Sequence, residues 1–308
     1  MLPCYATAQS YTTKPIRMVV GAAPGGGTDL VARPVAQKLT EAWGQQVIVD
    51  NRPGAGGTIG TEMVARALPD GYTMLMGSIT TNAVNQVLYK KLNYDPIKDF
   101  IPVSLVISAP QPLVVHQSVP VKSVKELVAL ATAKPGQLNY ASAGSGSSPQ
   151  LTFELFKRIA GIDIVHIPYK GTGPAIIDLV AGHVHMMITG IVAPMPHVKS
   201  GRLRGIAVTS ANRAAALPDV PTFSESGVPK FDVSTWFGIF LPAGTPNPIV
   251  AKLNGEIRRI LEMPDIQQYF VDQGASPAAN SPEQFAAYVK SEVARWGKVV
   301  RDTGIRAD

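Results

Sequence analysis

The sequence predicts an α/β protein in two lobes. Short apolar runs alternate with helical patterns in the first part of the chain and again after residue 123. Glycine-rich turns connect a strand to a helix in both stretches, and two extended segments join one stretch to the other.

The first stretch starts with Ile16 to Val20, which reads as a buried strand. Asp29 to Trp43 reads as a helix with Leu30, Val31, Val35 and Leu39 inward; Pro34 is expected to loosen its first turns. Val47 to Asp50 is a second strand. Gly54-Ala55-Gly56-Gly57 starts a helix from Ile59 to Ala67. Pro69-Asp70-Gly71 turns into a strand from Tyr72 to Gly77. This order implies a right-handed, parallel arrangement. Ligands of such sheets sit beyond the carboxyl ends of the strands, which places the loops 22–28 and 78–82 at one edge.

Phe100 to Val115 reads as extended. A helix follows from Ser123, with Glu126 completing a capping box. Strands are expected at 138–140, 162–166, 184–189 and 203–209, and helices at 151–159 and 174–180. Trp236 to Phe240 is extended again, and three helical segments close the chain at 248–263, 266–273 and 281–301. The expected division is 9–105 with 240–308 as one lobe and 106–239 as the other, with crossings near 103–115 and 234–241.

Composition narrows the function. The chain has 308 residues, 45% hydrophobic and only 16% charged, with a formal net charge of +6. That charge favours anionic ligands by steering. The basic residues are scattered rather than interleaved with aromatics, so no nucleic-acid footprint is present. The single cysteine, Cys4, excludes an intrachain disulfide. The longest apolar run, 103–115, is too short for a bilayer and contains Pro110 and Pro112. Ala6-Thr7-Ala8 before Gln9 resembles a signal-peptide cleavage site, yet Met1 to Tyr5 supply neither the basic start nor the apolar core. Residues 1–8 therefore read as the remnant of a truncated signal peptide, or as a frayed terminus.

The two glycine turns carry the chemistry. Ala23-Pro24-Gly25-Gly26-Gly27-Thr28-Asp29 and Ala141-Ser142-Ala143-Gly144-Ser145-Gly146-Ser147-Ser148 each join a strand to a helix. Such a turn aims unpaired backbone N–H groups, reinforced by the helix dipole, at one point that favours negative charge. Two of them suggest a carboxylate held between lobes, although such turns also serve as plain tight connections. The dinucleotide fingerprint and the nucleotide-hydrolase phosphate loop are both absent. His183 and His185 flank Val184 with His166 on a neighbouring strand, a possible metal set, but the Ala181-Gly182 turn suggests a surface position. Gly144-Ser145-Gly146 lacks the spacing of a nucleophile elbow. Asp29 is a candidate general base, or an ionised group beside the helix start. Trp236 and Phe237 either wall the cleft or belong to the core.

Six segments, in order, give a resemblance over nearly the whole chain: Pro24–Asp29, Asn51–Gly57, Pro69–Tyr72, Tyr169–Thr172, Leu217–Thr222 and Pro242–Pro246. With them the chain resembles the Bug-type, TctC-like substrate-binding proteins of tripartite tricarboxylate transporters. The resemblance implies a type II, flytrap-like periplasmic binding protein, each lobe a mixed, mostly parallel sheet flanked by helices. It implies no catalytic residue, cofactor or metal ligand. The partners implied are a small organic acid (a dicarboxylate or an aromatic acid) and the membrane components of a transporter, with the chain itself a monomer. A sensor presenting the liganded form to a signalling partner is the alternative, and a metal-dependent hydrolase a weaker one. Carried over, the ligand-binding residues are Ala22, Ala23, Gly25, Gly26, Thr28 and Asp29 of the first loop, then Ser78, Thr80 and Asn82. The second lobe adds Ser142, Ala143, Gly144, Ser145 and Ser147, then Gly171, Thr172, Pro174 and Ala175. Family members often carry Pro-Phe where this chain has Gly21-Ala22. Loss of that aromatic is expected to widen the cleft toward ligands bulkier than a short diacid.

Overall fold

The computed structural model describes residues 11–229 and 231–303. The proposed signal remnant and Cys4 lie outside the described residues. Two sheets flanked by helices form the two lobes. The first has six strands in the order β11-β4-β10-β3-β1-β2: β1 Ile16–Val20, β2 Val47–Asn51, β3 Thr73–Ser78, β4 Phe100–Pro110, β10 Ser234–Pro242 and β11 Ser276–Pro277. The second has five in the order β7-β6-β8-β5-β9: β5 Pro112–His116, β6 Asn139–Ser142, β7 Val165–Pro168, β8 Met186–Ile188 and β9 Leu203–Val208.

The parallel pairs are those the strand–helix alternation requires: β1 with β2 and β3, and β6 with β7 and β8. The remaining pairs, which involve β4, β5, β9, β10 and β11, are antiparallel. The first sheet is covered on both faces. Met18, Val20, Met74 and Met76 belong to the core cluster that contains Val31, Val35 and Leu39 of helix α1 (Gly27–Trp43) and Leu253 and Ile257 of α8 (Asn247–Leu261). The alternate residues Val19 and Leu75 join the cluster of Val64 in α2 (Thr58–Ala65) and Phe285 in α10 (Pro282–Thr303). Two covered faces explain why these strands read as unbroken apolar runs. Each buried aliphatic side chain contributes about 1.5–3 kcal/mol through removal from water.

Helix α1 is continuous through Pro34 rather than loosened. Proline lacks the N–H that would bond the Leu30 carbonyl. The Tyr269 hydroxyl of α9 (Pro264–Asp272) donates to that carbonyl at 3.2 Å instead. Tyr269→Phe is therefore expected to lower stability by about 1 kcal/mol, read as a fall in the denaturation midpoint at constant slope. An unchanged midpoint would show that the carbonyl needs no partner.

The sequence did not announce β11 or the short helix Met195–Lys199, and the strand expected at 162–166 lies at Val165–Pro168. Two further segments differ in kind. The stretch after β3 is not a loop: Thr80–Val84 forms a π-helical turn that runs into α3 (Asn85–Leu88). Glu126 caps less symmetrically than a capping box does. Its N–H bonds the Ser123 hydroxyl of α4 (Val124–Ala133), but its carboxylate accepts from the Lys122 N–H.

The sheets join at β4 and β5, separated only by Gln111. The Gln111 N–H bonds the Thr209 hydroxyl, its carbonyl accepts from the Thr209 N–H, and the Val233 N–H bonds the Thr209 carbonyl. Both connections thus run through one hydrogen-bonded cluster.

Candidate functional site

A cavity of 460 Å³ lies between the two sheets. Four helices begin at its wall. Helix α1 contributes Gly27 and Thr28, α2 its preceding Gly57, α5 (Ser148–Ala160) Ser147 and Ser148, and α6 (Thr172–Ala181) Gly171 and Thr172. In none of the four does the residue before the helix cap it with its own side chain, whereas α4, away from the cavity, is capped by Ser123. The first N–H groups of a helix have no partner within it, so four uncapped starts leave donors and positive dipole ends around one space. Among the described residues, Lys170 is the one charged side chain lining the cavity, and no carboxylate does. The electrostatic character is that of an anion site.

Of the residues carried over, Ala22, Thr28, Ser78, Thr80, Ala143, Gly144, Ser145, Ser147, Gly171 and Thr172 line the cavity. The rest stand behind them. Ala23 packs under Gly171, whose φ of +119° is open to glycine. Gly25 and Gly26 shape the turn: the Gly26 N–H bonds the Ala23 carbonyl, and the Gly25 N–H bonds the Asp29 carboxylate at 2.9 Å. Asn82 is buried and accepts from the Thr81 hydroxyl at 2.7 Å. The Ser142 hydroxyl lies 2.6 Å from His166 Nε2. Pro174 and Ala175 continue α6, with Ala175 in the core of the second lobe.

Asp29 does not face the cavity. Its carboxylate is buried and takes two bonds from Arg33, one from the Gly25 N–H and one from Asn51 Nδ2. Burial pushes its pKa up, but the bonds from Arg33, Gly25 and Asn51 outweigh this and hold it below the ordinary value. An ionised carboxylate with all its lone pairs engaged is a strut for the loop, not a base. Asn51 extends the strut by donating to the Ala22 carbonyl at 2.9 Å.

The lobes touch across the cavity's edge. The Ser148 N–H bonds the Thr80 hydroxyl at 3.2 Å. A Cβ on Gly173 would lie 2.5 Å from the Pro24 carbonyl oxygen, so α6 and the first loop meet backbone to backbone.

Several lining residues escaped the sequence reading: the loop Pro53–Gly57, Tyr89, Gln111, Thr189, Gly190 and Thr235. The Pro53–Gly57 loop carried a signal, since its three glycines follow a strand of the same parallel set. Gln111 also carried one, as the break between two prolines in the extended run. Thr189, Thr235 and Tyr89 carried none, because only the fold brings them there. Phe237 lines the cavity, while Trp236 is core and donates from Nε1 to Glu292 at 3.1 Å. Gly21 and Ala22 both line the wall, and a Cβ on Gly21 would come within 2.8 Å of the Gly57 carbonyl oxygen.

The three histidines go separate ways. His166 bonds Ser142, His185 bonds Asn139, and the exposed His183 pairs with Asp178 at 3.4 Å. No three potential metal ligands come together among the described residues.

Residues 31–305 match the model of the tripartite tricarboxylate transporter family receptor. The chain is 39% identical over 301 residues to protein BugT of Bordetella pertussis, covering 97% of this chain and 92% of BugT. Among solved structures, R. palustris Rpa4515 with adipate superposes with a TM-score of 0.94 at 37% identity, covering 96% of this chain and 99% of that one. MatC from Rhodopseudomonas palustris with bound malate superposes with a TM-score of 0.90 at 37% identity, covering 94% and 99%. A family match over most of the chain, joined to a shared two-lobed fold, is decisive: this chain belongs to the tripartite tricarboxylate transporter receptor family.

Proposed function

We propose that this protein captures a small carboxylate in the cavity between its lobes and delivers it, in the periplasm, to the membrane components of a tripartite transporter. The observation that carries this reading is the set of four uncapped helix starts around one cavity. Charge-assisted bonds from such preorganised N–H groups are stronger than neutral ones, and serine and threonine hydroxyls add donors that adapt. The volume suits a small organic molecule. Adipate and malate in the related structures support a carboxylate.

Binding without catalysis is part of the proposal. No histidine or carboxylate lines the cavity among the described residues to act as a base. We further propose a monomer whose lobes are 11–110 with 234–303, and 111–233. The pairing of β4 and β10 along their whole length supports that division over breaks at 105 and 239. Closure would hinge at the Gln111, Thr209 and Val233 cluster.

Native mass spectrometry of the purified protein would weigh a retained ligand, and calorimetry with malate, adipate and benzoate would rank acids. Binding of at least one acid with one-to-one stoichiometry is expected. The Gly21-Ala22 wall favours the bulkier acids, so a series that prefers four-carbon diacids would count against a widened cleft. Absence of binding to every acid would overturn the reading itself.

A further inference from the structure

The loop 142–148 is held from behind by a relay that ends on a titratable ring. The Gly146 N–H bonds Gln150 Oε1 at 2.5 Å, and Gln150 Nε2 lies 3.2 Å from His166 Nδ1. His166 Nε2 lies 2.6 Å from the Ser142 hydroxyl. That hydroxyl accepts from the Gly144 N–H at 3.1 Å and donates to the Gly144 carbonyl at 3.1 Å. The same carbonyl also accepts from the Ser147 hydroxyl and N–H. Ala143, Gly144, Ser145 and Ser147 all line the cavity.

One fixed donor sets every polarity in this chain. A backbone N–H can only donate, so the Gly146 N–H requires Gln150 to present its oxygen there. Gln150 must then turn its NH₂ toward His166, which requires Nδ1 to be a bare acceptor. The ring proton is left on Nε2, where it donates to Ser142. Ser142 in turn has its own proton free for the Gly144 carbonyl, which is held by three donors and withdrawn as an acceptor from an incoming anion.

We propose that His166 is a positioning residue for the ligand, which holds the 142–148 loop in its anion-accepting form only as the neutral imidazole protonated on Nε2. A second proton on Nδ1 would face the Gln150 NH₂, donor against donor. Turning Gln150 over would move the same conflict to the Gly146 N–H. Acid therefore loosens the loop at Gly146, whereas the Nε2–H bond to Ser142 is kept. The proposal rests on the carboxylate-binding reading for its effect on affinity, but not for the relay itself.

The groups facing the ring are few. Tyr140 of β6 stacks on it at 4.9 Å, with its hydroxyl bound to Glu154 of α5. Burial lowers the His166 pKa; Glu154 opposes this and Lys157 adds to it. The neutral form therefore holds at neutral pH. Sensitivity of the folded protein appears only as pH falls through the depressed native value, below the ordinary 6.5.

Two measurements on the full chain test this. In the first, long-range proton–nitrogen NMR of the histidine rings from pH 8 to 5 should show His166 protonated on Nε2 with an accepting Nδ1, and the Gly146 amide should shift with the ring's midpoint. An Nδ1–H tautomer, or a Gly146 amide indifferent to the ring, overturns the proposal whether or not any acid binds. In the second, the affinity for malate or adipate, whichever binds the tighter, should fall by up to about ten-fold per pH unit below that midpoint. His166→Gln, which keeps a neutral donor for Ser142, should flatten the profile, whereas His166→Leu should weaken binding at every pH. A flat native profile, or an unchanged slope in His166→Gln, overturns it. Loss of binding to both acids at all pH values, with the NMR pattern intact, overturns the carboxylate reading and the proposed effect on affinity while the relay stands.

Discussion

Gly173→Ala is expected to weaken ligand binding without unfolding the protein. The new methyl carbon would sit 2.5 Å from the Pro24 carbonyl oxygen, far inside van der Waals contact. The two atoms belong to opposite lobes, so the clash arises only when α6 and the first loop meet. Each lobe can fold around the extra methyl; the closed arrangement cannot accept it without shifting. Overpacking of this kind costs about 1–3 kcal/mol. Charged to the closed form alone, that is roughly five- to 150-fold in affinity. A ligand stabilises closure only by its preference for that form, so the loss appears in the dissociation constant. Calorimetry with the best-bound acid and X-ray scattering of the free and liganded protein would read it. Gly255→Ala is the control, because a Cβ there meets nothing within 4 Å on helix α8. It should raise stability by about 0.5–1 kcal/mol and leave affinity alone. A Gly173→Ala protein that binds and compacts like the native one would show that this contact is not part of the liganded state.

Asp29→Ala should give the largest single loss of stability near the site. It strips the acceptor from the Gly25 N–H, Asn51 Nδ2 and the Arg33 guanidinium at once. Removal of one partner of a buried ionic network costs about 3–5 kcal/mol. Arg33 is half exposed and can turn to water, so the expected loss is about 2–3 kcal/mol. The loss should also be pH-dependent in a defined direction. The native carboxyl titrates below its ordinary 3.8, so its contribution is complete above about pH 4 and disappears as pH falls through the native value. Thermal midpoints of native and variant should therefore converge in acid and separate above pH 4. Parallel curves over that range would mean that the Asp29 charge does not stabilise the fold. Because Asn51 also ties Ala22, the variant should bind acids more weakly even where it is folded.

The sequence showed most clearly those features that local physics enforces. Strands β1 and β3 were legible because both faces of their sheet are covered, which makes them continuous apolar runs. The helices that follow the two glycine turns were legible, although they start at Gly27 and Ser148 rather than at 29 and 151, because the turn residues themselves enter the first turn. The π-helical turn at Thr80–Val84 was not, since its cause is tertiary. Thr81 bonds the Ser78 N–H and Asn82, and its carbonyl accepts from the Tyr94 hydroxyl. Pro34 misled for a similar reason: the donor that satisfies Leu30 comes from residue 269. Asp29 was visible as a charged residue at a helix start, but its direction was not; Arg33 and Asn51 decide that it supports the loop from behind.

By itself, the sequence determined the alternation of elements, the two-lobed α/β class and the glycine turns where main-chain donors are freed, because each depends on neighbours a few residues apart. Only the tertiary structure decided that four helix starts surround one cavity, that Phe237 faces it while Trp236 is buried against Glu292, and that Gln111 joins the sheets beside Thr209. Those facts depend on the packing of residues far apart along the chain, where a shift of one position turns a side chain from the cavity to the core.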